Sequence, residues 1–156
     1  MKIVSLLPAA TEILCDMGLA EYISAVSHEC DYPSTINNKL KITSSIIPHN
    51  INQNVIDKLV KEAVKNNIPL YEVDNEQLNK INHDLIITQG GYGSMTDVLT
   101  RGKKLIAVPR LIALNESQDD QKELVDYYAS KNFLLSCYEI EKLEGLVSQV
   151  NNNQII

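Results

Sequence analysis

The sequence has no apolar run of the roughly 18 residues that a membrane-spanning helix needs. It also has no basic run or stripe: 14 Lys and Arg residues stand against 20 Asp and Glu residues, which gives a net charge of −6. An acidic chain without a basic face disfavours binding to nucleic-acid phosphates, and it disfavours a helix lying on an anionic membrane. We therefore expect neither a nucleic-acid partner nor direct insertion into a membrane.

Cysteine is scarce as well. The chain has three, Cys15, Cys30 and Cys137, which are widely spaced in the sequence and form no CxxC pair. This spacing favours reduced thiols over a zinc knuckle or a thioredoxin-type site. The N-terminal apolar run covers only residues 3–7 before Pro8, which fits a first β-strand better than a signal peptide. Together these features indicate a cytoplasmic protein.

Short apolar runs alternate with helical patterns along the whole chain of 156 residues. The predicted strands are residues 3–7, 23–27, 70–73, 84–88, 105–109 and 133–137, and the predicted helices are 11–17, 52–66, 75–81, 94–100, 120–131 and 140–150. Continuous apolar strands are typical of sheets that helices cover on both faces. The pattern predicts an α/β fold with a single doubly wound, mostly parallel sheet of about six strands, Rossmann-like or flavodoxin-like.

The remaining segments complete this prediction. We expect residues 1–150 to form one α/β domain and residues 151–156 to form a frayed tail. Residues 28–49 show little periodicity and are predicted to be mostly loop, and His49 and His83 stand singly beside loops and are predicted to be exposed. Ligands of such sheets bind beyond the carboxyl ends of the strands, so the loops that follow the strands are expected to converge on one edge.

The clearest local motif is the glycine-rich segment GGYGS at residues 90–94, which opens a predicted helix. Free backbone amides and the positive end of the helix dipole favour an anion there, and glycine lets phosphates approach the backbone closely. Ser94 and Asp97 resemble a capping box. The motif matches neither GxGxxG nor a Walker loop, and a tight strand-to-helix connection uses the same glycines.

Two other segments carry polar side chains that are candidates for binding a metal or a phosphate. Residues 28–31 (HECD) all carry metal-competent or polar side chains, but neighbours on an extended segment point in opposite directions, so we expect a polar loop and no metal site. Arg110 follows a predicted strand and could pair with a phosphate, or with Asp119 or Asp120. No Ser–His–Asp or Cys–His arrangement is indicated, so the catalytic residues stay unknown.

The segments KIVSLLPAATEILCDMG, AVSHECDYP, VIDKLVKEA, LYEVD and DLIITQ occur in this order within residues 1–89. They resemble the N-terminal lobe of cobalamin- and siderophore-type substrate-binding proteins of ABC transporters, which hold a corrinoid or metal chelate between two lobes. The resemblance implies cobalamin or another chelate as the ligand. The residues that it implies as contacts are Pro8, Thr11, His28, Glu29, Asp31 and Tyr32.

Residues 84–150 contain the segments DLIITQGGYGSMTDVLTRGKKLIAVPR and DDQKELVDYYASKNFLLSCYEIEKLEGLV, which indicate a different family. They resemble the C-terminal domain of family 28 glycosyltransferases, in particular the small soluble subunits that pair with a membrane-anchored partner. In that family the GGxGS turn and the following helix hold the nucleotide diphosphate of the donor. An acidic residue on that helix contacts the ribose, and a His-Gln pair contacts the sugar.

This second resemblance implies a UDP-GlcNAc-type donor or another small anionic ligand, hexosyl transfer, no cofactor and a membrane-anchored partner subunit. The donor-binding residues that it implies are Gly90, Gly91, Gly93, Ser94, Asp97, Arg110 and Gln121. Two positions depart from the family: Asp97 stands where Glu is usual, and Asp120 stands where a His precedes the Gln. We therefore expect weak activity, or none, from the chain alone.

The two resemblances meet at residues 88–90, which suggests a natural or engineered chimera that folds as one domain. Three functions stay open at this point. The chain is a donor-binding glycosyltransferase-like subunit, a corrinoid or chelate binder, or a stable chimera without ligand activity.

Overall fold

The computed structural model describes residues 1–48, 51–66, 68, 70–114 and 120–152. Its strands are β1 Ile3–Ser5, β2 Ile23–Val26, β3 Leu40–Lys41, β4 Thr43–Ser45, β5 Tyr71–Val73, β6 Leu85–Gln89, β7 Lys104–Val108 and β8 Leu135–Ser136. Its helices are α1 Pro8–Asp16, α2 Gln53–Lys65, α3 Asn75–Lys80, α4 Tyr92–Thr100, α5 Lys122–Ser130 and α6 Leu143–Asn151.

Six of these strands form one sheet in the order β3-β2-β1-β6-β7-β8, and every neighbouring pair in it is parallel. The chain runs outward from β1 to β3 and then returns to place β6 against the free side of β1. Ile3 pairs with Leu85 and Ser5 with Ile87 at this junction. The strand order therefore reverses between β1 and β6, as in a doubly wound Rossmann-like sheet, and the predicted α/β fold is confirmed.

Two apolar layers hold helices on the two faces of the sheet, because successive strand residues point to opposite sides. The layer under α1 and α6 includes Ile3, Leu14, Leu85, Ile87, Leu143 and Val147. The layer under α3, α4 and α5 includes Val4, Leu78, Ile86, Met95, Val98 and Val125. Each layer draws residues from both sides of Gln89, so the segments that carry the two resemblances share both cores.

The region between β2 and β6 differs from the sequence prediction. Residues 28–49 were expected to be mostly loop, but they contain β3 at the edge of the main sheet and β4. The predicted third strand, β5, lies outside the main sheet and pairs antiparallel with β4. β3 has two residues and leaves no apolar run to detect, and the exposed Tyr71 and Glu72 of β5 are incompatible with a strand covered on both faces.

His83 was expected to be exposed, and this prediction is wrong because only 2% of the residue is accessible. Its Nδ1 lies 2.9 Å from the backbone oxygen of Ile81, and Lys103 donates to its backbone oxygen. His49 and most of the expected tail lie outside the described residues, although α6 extends to Asn151. Among the helices of the described ranges, none is long and apolar enough to cross a membrane.

Candidate functional site

The loops that follow β1 and β6 lie side by side at the carboxyl edge of the sheet, where the strand order reverses. The ladder of backbone hydrogen bonds continues past the strand ends, since the amide of Leu6 donates to Ile87 (2.9 Å) and that of Gly90 donates to Val108 (3.3 Å). The glycine turn therefore occupies the position where doubly wound sheets bind their ligands.

The first turn of α4 has backbone amides that no side chain of the described residues caps. Gly91 is the N-cap residue, and the first helical hydrogen bond runs from the Met95 amide to the Gly91 oxygen at 3.0 Å. The amides of Tyr92, Gly93 and Ser94 precede that bond, and no acidic side chain lies in the first turn. This end of the helix is suited to bind an anion.

The predicted capping box of Ser94 and Asp97 is wrong, because the helix begins two residues before Ser94 and has Gly91 at its N-cap. Asp97 instead forms an ion pair with Arg101, with 3.1 Å between Oδ1 and Nη2. The same Arg101 nitrogen donates to Asn75 of α3 at 2.7 Å. The ion pair with Arg101 holds the Asp97 carboxylate in place. Because 42% of the Asp97 side chain is accessible, the carboxylate also stays open to a ligand.

The three glycines of the turn have different surroundings. A Cβ on Gly90 would lie 2.6 Å from Val125 Cγ2 and 3.0 Å from Pro109 Cα, so the packing of the fold requires glycine there. A Cβ on Gly91 would meet only the Gln121 amide nitrogen, at 3.9 Å, and one on Gly93 would meet nothing within 4 Å. Gly90 therefore lies beneath the turn, and the open backbone surface belongs to Gly91 and Gly93.

A cavity of about 540 Å³ adjoins this open surface. One wall is built by β5 and the start of α3, and the other by the turn and α4; the lining residues are Tyr71, Glu72, Val73, Asn75, Gly91, Gly93, Ser94 and Asp97. The volume is within the range of small-molecule and cofactor sites, about 300–1,000 Å³. Four of the seven predicted donor-binding residues thus line one cavity.

Two more predicted residues, Gln121 and Arg110, lie beside the turn. The side-chain oxygen of Gln121 accepts a hydrogen bond from the Arg110 amide at 2.9 Å, which leaves the Gln121 nitrogen next to Gly91. Burial and the charge of Glu29 raise the pKa of Tyr71, whereas the positive charge of Arg110 acts in the opposite direction. Arg110 therefore lies close enough to Tyr71, a residue of the cavity wall, to oppose the rise in its pKa.

Asp120, the residue in place of the family's His, turns towards its own helix. Its Oδ1 accepts a hydrogen bond from the Lys122 amide at 2.8 Å, at the start of α5. This contact directs the carboxylate to the positive end of α5. The predicted pairing of Arg110 with Asp119 lies outside the described residues.

The residues expected to contact a chelate follow the neighbouring strands β1 and β2, and the Thr11 hydroxyl lies 3.2 Å from Cys30 Sγ. Thr11 is fully buried, with its hydroxyl 2.8 Å from Ser5 Oγ and 2.9 Å from the Leu7 oxygen, so it cannot touch a ligand at the edge of the sheet. Pro8 is the first residue of α1, and Asp31 and Tyr32 are exposed. Within the described part of the chain, no group of three His, Cys, Asp or Glu side chains is arranged to hold a metal.

His28 and Glu29 instead support the cavity wall. The His28 ring lies 5.5 Å from the Tyr71 ring, with its Nδ1 2.7 Å from Thr43 Oγ1, and Glu29 accepts a hydrogen bond from the Tyr71 hydroxyl at 3.3 Å. Sequence reasoning missed Tyr71 and Asn75 as lining residues. The available signal was the polar character of β5, which a central strand does not have.

A doubly wound sheet with an uncapped glycine turn where its strand order reverses defines a class of α/β domains that bind phosphorylated ligands. The family model described as the glycosyltransferase family 28 C-terminal domain matches residues 20–155. The chain therefore belongs to this family and is a glycosyltransferase-like, nucleotide-sugar-binding module. The match runs across residues 88–90, so a chimera with a substrate-binding-protein half is not supported. No curated protein and no solved structure matches the chain.

Proposed function

We propose that this protein is the donor-binding unit of a glycosyltransferase and takes a UDP-sugar of the UDP-GlcNAc type. The observation that carries the proposal is the uncapped start of α4, which opens onto a cavity of about 540 Å³ beside the glycine turn. A nucleoside diphosphate combines the two properties that this arrangement favours: a charged group for the amides and a body that fills a cavity.

The parts of the donor follow from the lining residues. The diphosphate rests on the amides that follow Gly91, with Arg110 as the nearby positive charge. Asp97 lies one helical turn beyond Gly93, about 6 Å along the axis of α4, and we propose that its carboxylate contacts the ribose hydroxyls. The nucleoside then extends along β5, and the amide nitrogen of Gln121 faces the ligand from the other side of the turn.

The proposed reaction is displacement of the nucleoside diphosphate by an acceptor hydroxyl. The acceptor oxygen forms a bond to the anomeric carbon, the bond from that carbon to the diphosphate breaks, and the electron pair leaves with UDP. Negative charge develops on the diphosphate, where the amides of α4 and Arg110 stabilise it. We propose that a membrane-anchored partner subunit supplies the acceptor and the base that takes its proton.

Calorimetric titration tests the proposed donor. We expect UDP and UDP-GlcNAc to bind and uridine, which lacks the diphosphate, to bind much more weakly. Arg110→Ala should weaken UDP binding about ten- to a hundredfold, because it removes a charge-assisted contact. Lys58→Ala removes an exposed cation from α2 and serves as the control of equal charge change. Absence of heat with millimolar UDP and UDP-GlcNAc would refute the proposed donor.

A further inference from the structure

A cluster of three side chains joins the segment that follows β8 to the first two turns of α5. The Tyr138 hydroxyl donates to Asp126 Oδ1 and lies 3.4 Å from the Lys122 backbone oxygen. The Lys122 ammonium forms an ion pair with Asp126 and lies 5.0 Å from the centre of the Tyr138 ring. We refer to Lys122, Asp126 and Tyr138 as the α5 latch.

The α5 latch acts on the turn that carries Gln121. This residue is the N-cap of α5, and its own side chain does not cap the helix. Its own side-chain oxygen is occupied by the Arg110 amide, so its NH₂ group is the part that faces Gly91. The position of this NH₂ group relative to the glycine turn therefore depends on where the first turn of α5 is held.

The chemistry of the α5 latch suits a fixed contact. Burial, the hydrogen bond to Asp126 and the negative charges of Asp126 and Asp120 raise the pKa of Tyr138, so the phenol keeps the proton that it donates. The Lys122 and Asp126 side chains are 54% and 47% accessible, and ion pairs this exposed contribute little to stability. The latch is thus better suited to setting a position than to stabilising the fold.

We infer that Tyr138 is a positioning residue of the donor site: by holding the first turn of α5 to the segment that follows β8, its hydroxyl keeps the Gln121 NH₂ group against the glycine turn. The inference rests on the proposed function for the identity of the ligand. The position of the NH₂ group is a property of the free protein and can be measured separately.

Tyr138→Phe tests this inference, because it removes the hydroxyl and keeps the ring. The first measurement is the side-chain NH₂ resonance of Gln121 in the ligand-free protein, assigned by its disappearance in Gln121→Ala. The second is calorimetric affinity for UDP. We expect a shifted or broadened resonance and a loss of affinity of about two- to tenfold, the range of one hydrogen bond. The same substitution in a Gln121→Ala background should cause no further loss, because the two residues act as one unit.

Tyr127→Phe is the matched control, since Tyr127 lies on the same helix, is 59% exposed and is outside the latch. An unchanged Gln121 resonance with unchanged UDP affinity in Tyr138→Phe would overturn the inference, even if the wild type binds UDP. A shifted resonance in a protein that does not bind UDP would support the positioning and refute the proposed donor. If Tyr138→Phe fails to fold, Asp126→Ala breaks the same contact from the other side and is judged by the same two measurements.

Discussion

Gly93→Ala separates what the fold requires from what the ligand requires. Gly93 is the second residue of α4, and a Cβ there would have open space around it, with no described atom beyond its chain neighbours and its own helix backbone within 4 Å. Glycine inside a helix costs about 0.5–1 kcal/mol relative to alanine. About 1 kcal/mol corresponds to about 2–4 °C in the Tm of a chain of this size, so we expect the variant to melt about 1–4 °C higher than the wild type.

The same methyl group should impair ligand binding. Gly93 lines the cavity, and its backbone lies where the proposed diphosphate approaches the amides of α4. Loss of one charge-assisted hydrogen bond costs about 1.5–3 kcal/mol, and each 1.4 kcal/mol is about tenfold in affinity. We therefore expect UDP to bind about ten- to a hundredfold more weakly to a protein that has become more stable.

Thermal melts and calorimetry with UDP measure the two effects on the same samples, and two other glycines calibrate them. Gly145 is the third residue of α6 and also has open space around a Cβ, so Gly145→Ala should raise the Tm and leave UDP binding unchanged. Gly90→Ala should destabilise by about 1–3 kcal/mol, because its Cβ would overlap Val125. Wild-type UDP affinity in Gly93→Ala would refute the placement of the phosphates on this turn.

Three further outcomes are expected. Asp97→Asn should weaken UDP binding in calorimetry but leave pyrophosphate binding unchanged, whereas an equal loss for both ligands would argue against contact with the ribose. Burial lowers the pKa of His83 below its ordinary 6.5, so the unfolded chain binds an additional proton and the Tm should fall as the pH drops through this value. His83→Asn should flatten that slope in melts between about pH 7.5 and 5.5, and an unchanged slope would assign it to other groups. Thr11→Val should lower the free energy of unfolding by about 0.5–1.5 kcal/mol, because it removes a buried hydroxyl that is hydrogen-bonded, and it should leave UDP affinity unchanged. Loss of UDP binding at normal stability would show that Thr11 contacts the ligand.

The central strands and the glycine turn could be predicted from the sequence because strong local signals define them. β1, β2, β6 and β7 are runs of apolar residues buried on both faces, and their alternation with helices determines the doubly wound class. β3, β4 and β5 could not be placed in the same way. They have two or three residues each, and their pairing depends on contacts between segments that are distant in sequence.

Side-chain roles at the edge of the sheet were harder to predict than the elements that carry them. Ser94 and Asp97 have the spacing of a capping box, but the extended backbone of Gly91 begins the helix earlier and leaves Asp97 to Arg101. Thr11 lies in a segment expected to contact a chelate, yet its hydroxyl is used inside the fold. Sequence spacing identifies which element a residue belongs to, and only the packing decides whether its side chain faces the core or the ligand.

The antiparallel pair β4 and β5 gives the glycine turn its second wall. An uncapped helix end alone attracts many anions, because backbone amides and a helix dipole carry no information about the rest of the ligand. Tyr71 adds an aromatic surface opposite the turn, supported by His28 and Glu29 on one side and open to the charge of Arg110 on the other. On the proposed function, selectivity for a nucleoside diphosphate over free phosphate depends on this wall. The polar residues His28 and Glu29 after β2, which the chelate resemblance assigns to a separate site, thus support the proposed donor site through Tyr71.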